Sequence, residues 1–259
     1  TFDVRHEGYG TCFWHPVLAE AEGNRLTLQA RTGLSGQEVF AGAVIAMPGE
    51  AAAFAEGMTA ELRGRVSLSP GLPVQVEKRA VLLFDGQNGE TLRQAGQASL
   101  TAWEHRAPEE TLAAQRRWWE NRWKTCDIQI VSGEENAAAE QQGIRFCNFQ
   151  LAQTYNGGSM RHNIGAKGLT GEAYNGHAFW DTESCCLPFY LFTRPEAARS
   201  LLLFRYHTLP EALERAAMLD GQGACYPVAT LNGEEACALW QHASLQLQPS
   251  TAVAYGIWH

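Results

Sequence analysis

Ala107-Pro108-Glu109-Glu110-Thr111-Leu112-Ala113-Ala114-Gln115-Arg116-Arg117-Trp118-Trp119-Glu120-Asn121-Arg122-Trp123 is where the chain changes character. Proline followed by two acidic residues favours a helix start: the first turn does not need proline's missing N–H, and carboxylates complement the positive end of the helix dipole. Leu112, Gln115, Trp119 and Trp123 then fall near one side at helical spacing, which predicts a linker helix over residues 109–123. Its three tryptophans read as packing anchors, since large aromatic side chains act mostly through burial.

Upstream the period is two. Leu26-Thr27-Leu28-Gln29-Ala30, Val66-Ser67-Leu68 and Val74-Gln75-Val76-Glu77-Lys78 alternate apolar with polar residues, as half-buried antiparallel strands do. Breakers at Gly33, Gly36, Pro48-Gly49, Pro70-Gly71, Pro73 and Gly86 recur at strand-and-turn intervals, so residues 1–106 are expected to form part of an antiparallel β-sandwich. Residues 107–133 then supply the linker helix and a short strand at Asp127-Ile128-Gln129-Ile130-Val131.

Downstream, residues 134–259 read as helical. Ala137 to Tyr155 carries Ile144, Cys147, Leu151 and Tyr155 three or four apart. Pro195-Glu196 opens a helix through Tyr206, Pro210-Glu211 opens another, and Ala252 to Trp258 starts a last one. Helices joined by uneven glycine-rich loops suggest a helical barrel or bundle whose loops build a site. The expected class is therefore α+β and multidomain.

Composition narrows the partners. With 20 Lys+Arg against 28 Asp+Glu among 259 residues, the net charge is −8. An acidic chain repels phosphate backbones unless it carries a dense basic stripe, and tryptophans interrupt the run Arg116-Arg117, Arg122, Lys124, so nucleic acid is excluded as partner. No stretch approaches the ~20 uninterrupted apolar residues of a membrane-spanning helix, so no membrane partner is expected. The chain opens Thr1-Phe2-Asp3-Val4-Arg5-His6, with no secretory signal and no initiating Met, which suggests a processed chain or a piece cut from something longer. Its cysteines (Cys12, Cys126, Cys147, Cys185, Cys186, Cys225, Cys237) are odd in number and form no CxxC pair, as expected of reduced thiols in a cytoplasmic protein.

Chemistry concentrates in Gly165-Ala166-Lys167-Gly168-Leu169-Thr170-Gly171-Glu172-Ala173-Tyr174-Asn175-Gly176-His177-Ala178-Phe179-Trp180-Asp181-Thr182-Glu183. Aromatic faces cover the apolar C–H surface of a sugar and carboxylates accept pairs of its hydroxyl hydrogens, so Trp180-Asp181 suits a glycosyl ring. The competing reading makes Trp180 core and Asp181 the cap of a helix beginning near Thr182. Asp181 and Glu183 diverge at a helix start and cannot flank one bond, leaving Glu172, Glu234 and Glu235 as further carboxylate candidates. Cys185-Cys186 lacks a base at motif spacing, and His177 and His207 lack HxxxH or HExxH company, so neither a thiol nucleophile nor a metal site is expected. Neither GxGxxG nor a Walker-type loop occurs.

Four blocks resemble glycoside hydrolase family 65, the family of maltose, trehalose, kojibiose and nigerose phosphorylases: residues 165–172, Gly176-His177-x-Phe179-Trp180-Asp181-Thr182-Glu183, Leu187-Pro188-Phe189, and Arg205-Tyr206-His207-Thr208-Leu209-Pro210. The resemblance implies a partial N-terminal β-sandwich, a linker helix and the first half of an (α/α)6 barrel. It also implies a cytoplasmic homodimer with no metal or organic cofactor. Inorganic phosphate, as co-substrate, would attack the anomeric carbon of an α-linked glucose disaccharide while one glutamic acid protonates the leaving oxygen, giving β-glucose 1-phosphate. By the same resemblance Trp180 and Asp181 hold the donor glucosyl ring with His177 beside them, and Tyr226-Pro227-Val228-Ala229-Thr230 belongs to the loop that shapes sugar recognition, with Thr230 as a further substrate-binding residue. The family's acid lies in a Gly-Pro-x-Glu-Tyr block beyond a helix like Ala252–Trp258, and the chain stops at His259. The resemblance thus implies a fragment with no catalytic residue of its own, inactive alone. Val228-Ala229 and Cys237 to Gln241 depart from the kojibiose-type and maltose-type patterns and leave the disaccharide unnamed. An inverting hydrolase of the same family is the first alternative. A non-catalytic carbohydrate-binding or structural module is the second, favoured by the divergent Cys237–Ser250 stretch with Pro249 at a helix entry.

Overall fold

A computed structural model describes residues 14–33, 36–85, 89–171 and 173–259. Strands β1 (Trp14–Glu22), β2 (Arg25–Thr32), β3 (Glu38–Ala46) and β6 (Glu77–Asp85) form an antiparallel sheet in the order β1-β2-β3-β6. Strands β4 (Ala51–Glu56) and β5 (Thr59–Gly64) form a separate hairpin packed against β1 and β2. β2 alternates as its sequence predicts, yet neither face is wet. Leu26, Leu28 and Ala30 are buried, and Thr27 and Gln29 are only 3% and 4% exposed.

The polar face of β2 meets a helix, α1 (Gly89–Glu104), in a stretch expected from its sequence to be part of the sandwich. Gln97 donates to Thr27 Oγ1 at 3.1 Å, Gln29 donates to the Gly89 carbonyl at 3.0 Å, and Arg25 pairs with Glu104. Leu92, Gly96 and Leu100, spaced by four, are the buried residues of α1, and both leucines cluster with Phe40 and Val44 of β3. A Cβ at Gly96 would lie 2.3 Å from the ring of fully buried Phe40. Gly96→Ala is therefore expected to destabilise this unit by about 1–3 kcal/mol, visible as a lowered Tm; an unchanged melt would place α1 elsewhere.

Two further strand expectations are corrected. Residues 66–68 and 74–76 lie outside any strand, with only an isolated Ser69–Leu72 bridge between them. Pro70 and Pro73 remove ladder donors there, and Leu68, Leu72 and Val76 stand in solvent.

The chain divides into two compact units after Ala114, inside α2 (Pro108–Cys126). In the second unit Trp119 lies against Phe149 of α3 (Ala137–Thr154), ring centroids 4.9 Å apart, while Trp118 is exposed. Asp127–Val131 is not a strand. Its backbone is met instead by one side chain of α3: Gln141 accepts from Ile130 N–H and donates to the Ile128 carbonyl, each at 2.7 Å.

Helices α4 (Leu187–Thr193), α5 (Pro195–His207), α6 (Leu209–Met218), α7 (Trp240–Leu245) and α8 (Gln248–Trp258) follow. Pro249 sits in the first turn of α8, where a missing N–H is harmless, so it opens this helix rather than disrupting it. The core of the second unit gathers Tyr155, Ile164, Leu187, Tyr190, Ala197, Ala198 and Leu201. The whole is an α+β mixture.

Candidate functional site

Three segments converge on Ala178. Ala166 N–H donates to the His177 carbonyl at 3.0 Å, a bridge joins Gly165 to Ala178, and Ala178 exchanges both backbone hydrogen bonds with Thr230, at 2.9 and 3.0 Å. Gly165 suits this close approach, since a Cβ there would stand only 3.0 Å from the Gly176 carbonyl oxygen. The Trp180–Asp181 dipeptide is thus held between the glycine-rich loop and the Tyr226–Thr230 segment. Upstream, Tyr174 (φ 63°), Asn175 (φ 53°) and Gly176 (φ 71°) run consecutively in the left-handed region. For the two non-glycine residues this conformation costs on the order of 1–2 kcal/mol each, and such strain gathers at functional sites. Lys167 Nζ lies 5.4 Å from the Tyr174 ring centroid, and that ring meets Phe179 edge-on at 5.5 Å.

His177 is partly exposed, with Nδ1 2.8 Å from the Tyr174 carbonyl. A carbonyl only accepts, so Nδ1 carries the proton and Nε2 is the ring nitrogen left for a ligand. Trp180 is half-buried, neither core nor free surface. Asp181 is exposed at the N-cap position of a π-helical turn, Thr182–Cys186, and its carboxylate makes no capping hydrogen bond. Its oxygens remain open to a ligand. Thr230 is 0% exposed, and its hydroxyl accepts from Gly233 N–H at 2.7 Å, so its side chain belongs to the frame beneath the loop.

The pairing that sequence reasoning missed lies directly below. Glu183 and Arg205 are each 1% exposed and joined by two hydrogen bonds, Nε to Oε1 at 2.7 Å and Nη2 to Oε2 at 3.0 Å. Nη2 also donates to the Phe179 carbonyl at 3.2 Å, and the Tyr226 hydroxyl donates to the Arg205 carbonyl at 3.1 Å. No local sequence signal marks the two charges for each other, since 22 residues separate them. A second carboxylate is also spoken for: Glu235 accepts from the backbone N–H groups of Val228 (2.9 Å), Ala229 (3.2 Å) and Cys237 (2.9 Å) and pairs with Arg215 at 3.2 Å. Glu234 is exposed and takes Asn232 as partner, while Glu172 lies outside the described residues.

Burial pushes the Cys186 thiol up to about 11, with Cys185 and nearby carboxylates adding to it. Near pH 8 it holds on the order of a hundredfold less thiolate than an ordinary thiol. Iodoacetamide at pH 8 is expected to modify exposed Cys147 and Cys185 first and to spare Cys126 and Cys186. Peptide mapping that finds Cys186 labelled as fast as Cys185 would contradict this packing. Among the described residues no group of three or more His, Cys, Asp or Glu is placed to hold a metal ion, and no helix is long and apolar enough to cross a membrane. An open groove of about 620 Å³, lined by Glu120, Trp123, Lys124, Asp127 and Gln129, includes none of the residues above, and Arg145 occupies the Asp127 carboxylate.

A family model described as the glycosyl hydrolase family 65 central catalytic domain matches residues 145–259. The chain is 45% identical over 142 residues to maltose phosphorylase of Bacillus subtilis (strain 168), covering 54% of this chain and 18% of that protein. It is 40% identical over 172 residues to kojibiose phosphorylase of Escherichia coli (strain K12), covering 65% of this chain and 22% of that one. Among solved structures, a putative kojibiose phosphorylase from human microbiome superposes with a TM-score of 0.81 at 36% identity, over 96% of this chain and 33% of its own. The chain spans about a fifth of the length of these curated relatives.

Proposed function

We propose that this chain furnishes the donor-sugar grip of an inverting α-glucoside phosphorylase, a reading supported by the match of residues 145–259 to the glycosyl hydrolase family 65 central catalytic domain. The observation that carries the reading is the state of Asp181: an exposed carboxylate without a cap bond, following a half-buried indole. The indole face covers one side of a glucosyl ring, the carboxylate accepts two of its hydroxyls, and His177 Nε2 offers a further polar contact. Thr230 supports the loop from below instead of touching the sugar.

In this reading inorganic phosphate is the nucleophile. It attacks the anomeric carbon from the face opposite the leaving oxygen, that oxygen takes a proton, and the α-linkage becomes a β-phosphate ester. Neither Glu183 nor Glu235 is free to serve as the proton donor, since both oxygens of each already accept hydrogen bonds from within the fold. No organic cofactor is needed for such a displacement. Named phosphorylases among the relatives support phosphorolysis over hydrolysis. A (α/α)6 barrel beyond the described helices, assembly as a homodimer and a cytoplasmic location belong to the same proposal.

The test is to incubate the full-length gene product with maltose, trehalose, kojibiose and nigerose, each with and without phosphate. β-Glucose 1-phosphate formed only with phosphate is expected. Phosphate-independent release of glucose would mark a hydrolase, and neither product would leave a sugar-binding or structural module.

A further inference from the structure

Burying an ion pair is a poor way to gain stability, because desolvating both charges offsets most of their attraction. Yet Glu183 and Arg205 are among the largest wholly buried side chains, and Arg205 Nη1 is buried with no partner among the described residues. A hydrophobic pair would fill this volume at less expense in desolvation, so the placement of the hydrogen bonds is the informative feature. One planar guanidinium holds Phe179 by its carbonyl and Glu183 by its carboxylate, the two residues that bracket Trp180-Asp181-Thr182. Between these anchors the backbone enters the π-helical turn, with Ser184 N–H on the Trp180 carbonyl at 3.0 Å and Leu187 N–H on that of Thr182. π-Turns are rare and recur at functional sites. The Arg205 carbonyl meanwhile receives Tyr226, which leads to Thr230 and so back to Ala178.

We propose that Arg205 is a positioning residue that fixes the direction of Trp180 and Asp181 by clamping both ends of their turn, with Glu183 as its buried counter-ion. The sugar-facing part of this inference rests on the donor-grip reading given above; the clamp itself does not. Lysine cannot replace the clamp, because an ammonium is a point charge without the planar fork that reaches a carboxylate and a carbonyl together. Sub-ångström placement of binding groups carries large rate factors, so the clamp should act on donor binding and catalysis more than on folding.

Two variants of the full-length gene product test this, Arg205→Lys and the double change Glu183→Leu with Arg205→Met. The double variant exchanges a desolvated pair for apolar volume and is expected to melt within about 3 °C of wild type. Its amides over residues 179–187 should nonetheless exchange with deuterium about tenfold faster or more, with other segments unchanged, and kcat/KM for the disaccharide should fall about 100-fold. Arg205→Lys should keep the fold while losing about tenfold or more in kcat/KM, which keeps the inference open to refutation if the double variant fails to fold. Wild-type exchange over residues 179–187 in a folded variant, or wild-type kinetics in Arg205→Lys, would overturn it. If wild type itself uses no α-glucoside, the donor-grip reading falls, and the exchange comparison still decides whether Arg205 sets the turn.

Discussion

Asp181→Asn in the full-length gene product is expected to lower kcat/KM for its α-glucoside by about 10²–10³-fold while leaving Tm unchanged. The argument is one of placement. The carboxylate is exposed and caps nothing, so folding draws little from it and loses little when it becomes an amide. A bound sugar, by contrast, would lose two charge-assisted hydrogen bonds, each contributing about 1.5–3 kcal/mol, and would face an NH₂ group where an acceptor is needed. Trp180→Ala should combine a similar loss of turnover with a fall in stability of about 1–2 kcal/mol, because that side chain is half-buried. Steady-state kinetics and thermal melts on the two variants separate the sugar grip from the scaffold reading. Were Asp181 a helix cap, Asn would substitute almost silently in both measurements; activity at wild-type level in Asp181→Asn would remove the carboxylate from the site.

How far the sequence carried the fold depends on where each segment's backbone partners lie. α3, α5 and α8 were legible because glycine, proline and helical spacing are local signals, and their ends fall within a few residues of expectation. α1 was not, because Leu92, Gly96 and Leu100 form a thin stripe around a glycine, and its polar neighbours bond to β2 where a solvent face was assumed. Thr27 and Gln29 misled for the same reason: alternation reports that two faces differ, not that one of them is wet. Asp127–Val131 has strand composition, but a strand needs a partner, and Gln141 took the hydrogen bonds first. Trp180 and Asp181 stand out in the sequence because both residue types suit a sugar. Arg205 and Glu183 do not, since 22 residues separate them and nothing local marks two charges as destined for each other. Glu235 looked like any surface carboxylate until the backbone N–H groups of its own loop turned toward it.

Removing one member of the buried pair should have the largest effect on stability. Glu183→Ala leaves the Arg205 guanidinium wholly enclosed, with Nη1 already lacking a partner and, among the described residues, only the Phe179 carbonyl still accepting from it. An uncompensated buried charge of this kind costs about 3–5 kcal/mol, and in a unit of this size that lowers Tm by about 10 °C or more. The void left by the side chain adds to this, because α8 closes over Glu183, with Gly256 approaching so nearly that a Cβ there would touch its Cγ at 3.7 Å. Adding Arg205→Met to Glu183→Ala removes the stranded charge, and more than half of the lost stability should return even though a second polar group has been deleted. A single variant that melts like wild type would mean that water reaches the guanidinium. A double variant less stable than the single would mean that the pair stabilises beyond its desolvation, and the view of it as a clamp kept for direction would have to yield to one of ordinary structural support.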